Sequence, residues 1–133
     1  MAPAARVVAA QETPLTFESL TARQVHSSLW DVSESHDPQH LKLTEAADLF
    51  VIAPATANIL SKIAHGLADD LVSTMVLSAH CPVILAPAMN TRMWQNRIVQ
   101  ENVRQLSAHG YHMIQPGEGW LACRTIGEGV DLR

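Results

Sequence analysis

Two short segments of the sequence combine small residues, a proline and an asparagine in nearly the same order. Residues 54–58 read PATAN and residues 87–90 read PAMN. The amides of Asn58 and Asn90 can each donate and accept hydrogen bonds, so they could bind a polar ligand. Asparagine is also a common helix cap. The pattern by itself leaves both explanations, ligand binding and helix capping, open.

Both segments directly follow apolar runs that are typical of buried strands. Residues 49–53 and 83–86 are apolar throughout, and such runs are expected in strands that are covered on both faces. A weaker third strand is predicted over residues 111–114. From Gln115 to Gly129 the glycine-rich sequence predicts an irregular, mobile loop.

Two helices are predicted between the first two strands. Apolar residues at four-residue spacing predict a short helix that begins in the cluster around Thr56 and ends at Gly66. A second helix is predicted to begin near Ala68. Asp69 and Asp70 then fall in its first turn, where the helix dipole stabilises carboxylates.

Further helices are predicted on either side of this region. A brief helix is expected after Thr13, with Pro14 at its first position, and a loop is expected over residues 32–39. The longest helix is predicted over residues 91–108, with Gly110 as its end. Strands that alternate with helices predict a parallel sheet with right-handed crossovers. Ligands bind outside the carboxyl ends of such strands, which is where residues 54–58 and 87–90 fall.

Length and charge exclude several classes of protein. The 133 residues fit one domain, 1–133, and the net charge of −4 provides no general attraction to nucleic acid. The longest apolar runs are far shorter than the roughly 20 residues of a membrane helix, and no secretory signal is recognisable. Cys81 and Cys123 are too far apart to indicate a metal site or a disulfide framework. We therefore expect a cytoplasmic protein without a metal, a nucleic-acid partner or a membrane anchor.

Several segments together resemble one protein family. Residues 87–94 (PAMNTRMW) resemble the PxMNxxMW motif of the flavin-dependent cysteine decarboxylases, the HFCD flavoproteins. The resemblance extends over roughly residues 13–129. The other similar segments are residues 40–43 (HLKL), residues 53–58 with Lys62 and Gly66, residues 68–71 (ADDL), and residues 121–123 (LAC) ahead of Gly127 and Gly129.

The resemblance implies a fold, a cofactor and a reaction. The fold would be a doubly wound α/β sheet, Rossmann-like or flavodoxin-like, with helices on both faces, in a homotrimer or a trimer-based oligomer that binds FMN at the subunit boundary. The implied reaction is FMN-dependent decarboxylation of 4′-phosphopantothenoylcysteine to 4′-phosphopantetheine in coenzyme A biosynthesis. A phosphopantothenate–cysteine ligase domain is an implied partner.

The matched positions imply a set of site residues. His40 would take the thiol proton of the substrate, and Asn90 would donate hydrogen bonds to its carboxylate without neutralising it. Cys123, beside the cation of Arg124, would protonate the enethiolate. The implied substrate contacts are Met89, Asn90, Met93 and Ala122, and the implied cofactor contacts are Pro54, Ala55, Thr56, Asn58 and Asp69.

Simpler explanations exist for several of these residues, and some family features have no match. His40 could be a surface histidine at a loop edge, Cys123 a buried small hydrophobe, and Asp69 a favourable charge at a helix start. Nothing before Thr13 matches the family's first strand and glycine-rich phosphate loop, and the sequence stops soon after Gly129. A sequence shortened at both ends is therefore expected.

Local departures from the family concern its substrate contacts. Glu45 and Val130 stand where arginine is common, and Arg124 stands where glycine is usual. Three other functions stay open: a non-catalytic or regulatory flavin-binding subunit, a decarboxylase of peptidyl cysteine, and a truncated chain without function.

Overall fold

The computed structural model describes residues 14–26, 39–115, 118–120 and 126–128. The helices in these ranges are α1 (Pro14–Thr21), α2 (Gln39–Glu45), α3 (Ala57–Ala64), α4 (Leu71–Ser78), α5 (Thr91–Trp94) and α6 (Arg97–Ala108). The strands are β1 (Phe50–Ala55), β2 (Val83–Pro87), β3 (His112–Met113), β4 (Glu118–Trp120) and β5 (Ile126–Glu128). None of the helices in these ranges is long and apolar enough to cross a membrane.

The first three strands form a parallel sheet in the order β1-β2-β3. Ile52 pairs with Leu85, and Leu85 in turn pairs with Met113. Helices connect these strands, as expected for right-handed crossovers in parallel sheets. The predicted parallel α/β sheet is confirmed.

The main core lies between the sheet and helices α3 and α6. Its fully buried members include Leu60 of α3, Leu85 of β2 and Leu106 of α6. Along β1 burial alternates, because Ile52 is buried whereas Val51 is 54% exposed. The prediction that this strand is covered on both faces is therefore wrong for the described chain. Among the described residues, the helices pack on the Ile52 face of the strand.

The ends of the helices follow local sequence signals. α3 begins after Thr56, and Gly66 adopts a positive φ of 69° where the chain leaves the helix. Gly110 does the same after α6, with a φ of 90°. Both positions favour glycine because other side chains are strained there. Both predicted helix ends are confirmed, as is Pro14 at the first position of α1.

The predicted helix over residues 91–108 is two helices. α5 ends at Trp94, and the Asn96 side chain caps α6 by accepting a hydrogen bond from the backbone N–H of Ile98 (2.9 Å). Gln100 donates its side-chain amide to the Trp94 carbonyl (2.6 Å), which bridges the break. The single-helix prediction failed because the apolar spacing continues across the break, and a capping asparagine can also occur inside a helix.

Two other elements differ from the sequence predictions. The segment 39–45 forms α2, which packs on α4 through Leu43, Leu71 and Met75, although Gln39 was predicted to end a loop. In the glycine-rich tail, β4 and β5 pair as antiparallel strands, so the prediction of an irregular loop is wrong at these positions. The backbone pairing of residues 118–120 with 126–128 does not need an apolar pattern, which is why it was missed.

Candidate functional site

The carboxyl ends of β1 and β2 lie side by side. Ala55 is paired with Pro87, and the N–H of Ala88 donates to the Ala55 carbonyl at 3.0 Å. The two asparagine-containing segments therefore begin next to each other at one edge of the sheet. This is the edge at which parallel α/β sheets bind ligands, and the predicted arrangement is confirmed.

The first segment places Thr56 at the start of α3. Its hydroxyl oxygen accepts a hydrogen bond from the backbone N–H of Ile59 at 3.3 Å. Ala55 is fully buried and Pro54 is half-buried, so the backbone at this junction carries little side-chain bulk. Four of the residues predicted to contact a cofactor thus lie at this strand end and in the first turn of the helix that follows it: Pro54, Ala55, Thr56 and Asn58.

Asn58 does not cap a helix. It is the second residue of α3, its side chain is exposed, and the capping position is occupied by Thr56. The capping explanation for Asn58 is therefore wrong. Its predicted contact with a cofactor remains a prediction.

The second segment places Asn90 at the start of α5. Its Oδ1 accepts a hydrogen bond from the backbone N–H of Met93 at 2.9 Å, which fixes the plane of the amide. Its NH2 group has no hydrogen-bond partner among the described residues, and the side chain is exposed. Asn90 is thus a helix cap and a free, neutral hydrogen-bond donor at the same time.

Apolar side chains flank this donor. Met89 is half-buried against the main core, whereas Met93 is 44% exposed. Both belong to the predicted substrate contacts. A flexible thioether surface beside a hydrogen-bond donor suits a ligand that has an apolar part next to a polar group.

Asp69 lies at the opposite end of α3 from Thr56. The Lys62 amine contacts one carboxylate oxygen of Asp69 and one of Asp70, each at 2.6 Å. Lys62 stands six residues after Thr56, which is about 9 Å along a helix. The structure therefore does not bring Asp69 together with the strand ends within this chain, and its predicted cofactor contact remains untested.

The charges around Lys62 shift pKa values in opposite directions. Hydrogen bonds to Asp69 and Asp70 raise the pKa of the Lys62 amine above its usual value. Burial acts to raise the pKa of the Asp70 carboxyl, but hydrogen bonds from Lys62 and Ser73 outweigh it, and that pKa lies below its usual value.

Asp70 also caps a helix. It precedes α4 and accepts a hydrogen bond from the backbone N–H of Ser73 at 2.8 Å. The prediction that Asp69 and Asp70 lie in the first helical turn is wrong by one to two residues.

Three predicted site residues remain, and of these only His40 lies within the described ranges. His40 belongs to α2, which is held against α4 by Leu43 and by a 3.3 Å hydrogen bond between the hydroxyls of Thr44 and Ser78. Cys123 and Ala122 lie outside the described residues. Strand β5, which follows them, contacts α5.

Thr91 has a feature that sequence reasoning missed. It is the first residue of α5, and its hydroxyl oxygen is buried without a hydrogen-bond partner among the residues that the structure describes. No sequence signal could have indicated this, since it depends on what packs around the oxygen. Among the described residues no group of three or more His, Cys, Asp and Glu side chains could hold a metal ion.

Comparisons with known proteins point to one family. The model of the flavoprotein family matches residues 1–131. A probable phosphopantothenoylcysteine decarboxylase of Streptococcus mutans is 43% identical over 122 residues, which cover 88% of this chain and 66% of that protein. The coenzyme A biosynthesis bifunctional protein CoaBC of Bacillus subtilis is 40% identical over 117 residues, which cover 88% of this chain.

The structural similarity agrees with the sequence similarity. The crystal structure of the FMN-dependent cysteine decarboxylase SpaF superposes with a TM-score of 0.78 at 36% identity, covering 92% of this chain and 70% of that chain. The flavodoxin-like α/β fold predicted from the sequence is thereby confirmed. The chain spans 29% of the length of the bifunctional relative of Bacillus subtilis.

Proposed function

The chain belongs to the flavoprotein family, and we propose that it is an FMN-dependent carboxy-lyase that converts 4′-phosphopantothenoylcysteine to 4′-phosphopantetheine. The observation that carries this proposal is the free amide NH2 of Asn90 at the carboxyl edge of the sheet. The name of the Streptococcus mutans relative supports the same substrate, and that of the Bacillus subtilis relative supports a role in coenzyme A biosynthesis.

The residues at this edge fit a flavin. The first turn of α3 offers backbone N–H groups without partners within the helix, the side chain of Asn58 is exposed, and buried Ala55 permits close approach. Pro54, Ala55, Thr56 and Asn58 would contact the flavin, and Asp69 is proposed as a further contact. When bound, FMN supplies the two-electron redox chemistry that no side chain provides.

Asn90 is proposed to bind the substrate carboxylate. Its amide donates hydrogen bonds but carries no charge, so it orients the carboxylate without stabilising its negative charge as strongly as a cation would. Loss of CO2 consumes that charge, so a cation at this position would oppose the reaction. The methionines Met89 and Met93, together with Ala122, would enclose the neighbouring apolar part of the substrate.

Two proton transfers are assigned to the other predicted catalytic residues. His40 is proposed to take the proton of the substrate thiol, because an imidazole exchanges protons near neutral pH. Cys123 is proposed to return a proton to the enethiolate product of decarboxylation. The assignment of His40, which belongs to α2, rests on the family resemblance of residues 40–43.

A homotrimer or a trimer-based oligomer in the cytoplasm is part of the proposal. Val51 of β1 is 54% exposed and Ile98 of α6 is 71% exposed, and a subunit interface would remove such apolar surface from water. A phosphopantothenate–cysteine ligase is the proposed functional partner, and the name of the Bacillus subtilis relative, a bifunctional protein of coenzyme A biosynthesis, supports a second activity beside this one.

Another cysteinyl substrate is the second candidate. The name of SpaF specifies cysteine decarboxylation but not this substrate, so the similarity to it leaves a peptide with a C-terminal cysteine as the alternative. A purely regulatory flavin-binding protein is the less favoured alternative. Its helix α5 could be capped by a residue without an amide, whereas Asn90 keeps a free NH2 donor at the edge of the sheet where ligands bind.

The test begins with the visible absorption spectrum of the purified chain after FMN is added and free FMN is removed. Retained flavin absorbance is expected, followed by CO2 release from 4′-phosphopantothenoylcysteine. Release from a C-terminal cysteinyl peptide alone would select the second candidate. Flavin retention without any CO2 release would favour a regulatory protein, and no retained flavin would contradict the proposal.

A further inference from the structure

The hydroxyl of Thr91 is an exception among the described residues. Its oxygen is buried and has no hydrogen-bond partner. Other threonine hydroxyls are paired: that of Thr74 donates to the Asp70 carbonyl at 2.7 Å, and that of Thr21 donates to the Phe17 carbonyl at 2.7 Å. Buried polar atoms without partners are rare in native proteins and require an explanation.

The surroundings of Thr91 are otherwise well paired. The Thr91 carbonyl accepts a hydrogen bond from the N–H of Gln95 at 2.9 Å, and the N–H of Trp94 donates to the Asn90 carbonyl at 3.0 Å. The missing partner therefore does not reflect a poorly formed helix. It concerns one hydroxyl, adjacent in sequence to the free amide of Asn90.

The location of Thr91 indicates where a partner would come from. α5 follows the carboxyl end of β2, where ligands bind in this class of sheet, and β5 contacts α5. Because the oxygen has no solvent contact, a ligand can reach it only when the groups that cover it move. A buried polar atom without a partner favours such a movement, since it makes the covered arrangement less stable.

We propose that the Thr91 hydroxyl donates a hydrogen bond to an acceptor oxygen of the bound ligand. This inference rests on the proposed function and adds a binding residue to the same site. Two sources supply such an oxygen: a ring carbonyl of the flavin and the carboxylate of the cysteinyl substrate. The Thr91 hydroxyl and the Asn90 amide then form a pair of neutral donors on consecutive residues.

The test compares T91V with T91S and with the control T74V. Valine has the shape of threonine without its hydroxyl, so T91V removes an unpaired polar atom, whereas T74V removes a hydrogen bond. The melting temperature of the ligand-free chain is expected to rise by roughly 3 °C or more in T91V and to fall in T74V. T91S retains the hydroxyl and is expected to bind ligands like the unaltered chain.

Ligand binding is measured in two arms. In the first, titration with FMN alone reports on the flavin; in the second, the FMN complex is titrated with a substrate analogue that carries α-aminobutyrate in place of cysteine. Loss of one neutral hydrogen bond is expected to weaken binding roughly five- to tenfold in one arm. The arm in which T91V loses affinity identifies the source of the oxygen.

Two results would overturn the assignment. In one, T91V binds both ligands as tightly as the unaltered chain. In the other, T91V lowers the melting temperature of the ligand-free chain as T74V does, which would mean that the hydroxyl already has a partner. If the unaltered chain binds no FMN, both the proposed function and this assignment fail. If it binds FMN and T91V binds both ligands equally well, only the assignment fails.

Discussion

The junctions β1–α3 and β2–α5 both have a polar residue that caps the helix after a strand, but the two caps leave different hydrogen-bond donors free for a ligand. At the first, the Thr56 hydroxyl caps an eight-residue helix and has only one proton left to donate. At the second, Asn90 caps a four-residue helix through Oδ1 and keeps both N–H donors of its amide. An amide can serve structure and ligand binding at once. The second junction is therefore the better place for a substrate carboxylate.

Asn90→Asp separates the two roles of this residue and should have the largest effect. Aspartate caps helices as well as asparagine, so the melting temperature should change little. It places an anion against the substrate carboxylate, which costs about 4 kcal/mol at a separation of about 4 Å and an effective dielectric of about 20. Turnover should fall roughly a thousandfold, as measured by CO2 release. Activity close to that of the unaltered chain would exclude Asn90 as the carboxylate ligand.

Thr56→Ala tests the β1–α3 junction, where the Thr56 hydroxyl caps the helix. Removing the hydroxyl should destabilise α3 by about 1 kcal/mol, measured by urea unfolding. Thr56→Ser keeps the hydroxyl and serves as the control, with stability close to that of the unaltered chain. Equal stability of the alanine and serine variants would show that the 3.3 Å hydrogen bond does not stabilise the helix.

Asp70→Asn tests the C-terminal end of α3, where Lys62 forms ion pairs with Asp69 and Asp70 just before α4. The folded pKa of Asp70 is lowered, so its ionic contribution is fully present above the unfolded value of about 3.9 and is lost as the pH falls through the folded pKa. Because Asp70 is 42% exposed, we expect the variant to lose less than about 1 kcal/mol at pH 7. The difference from the unaltered chain should shrink below about pH 4. A difference that stays constant with pH would contradict the ion pair.

Asn58→Ala should have the smallest effect on stability. Its side chain is exposed and does not cap α3, so the free energy of unfolding should change by less than about 0.5 kcal/mol. FMN affinity should still fall if the predicted cofactor contact exists. Unchanged affinity, measured by equilibrium dialysis, would remove Asn58 from the flavin site.

The sequence predicted best those features that depend on local chemistry. The apolar runs before Pro54 and Pro87 identified the two central strands, and Gly66 and Gly110 marked the helix ends because their positive φ angles favour glycine. The Asn90 segment was recognised for the same reason, since its spacing places an amide directly after a strand.

Other features depend on contacts that apolar spacing does not encode. The break at Asn96 is stabilised by a local hydrogen bond from Gln100 to the Trp94 carbonyl, whereas α2 is stabilised by packing on α4, a helix distant in sequence. The buried Thr91 hydroxyl is visible only when its surroundings are known. The ion pair between Asp69 and Lys62 was not predicted, because Lys62 was considered only as part of the segment that resembles the family and not as a charge near Asp69.

The position of Lys62 has a consequence for chemical modification of the chain. An amine reacts with acylating reagents only when it is unprotonated and accessible, and Lys62 has a raised pKa and a side chain that is 15% exposed. The chain contains one other lysine, Lys42, which is exposed. Brief acetylation of the folded chain should therefore modify Lys42 and spare Lys62. Acetylation of Lys62 would then report unfolding around α3, and mass spectrometry would make it a residue-specific measure of local stability.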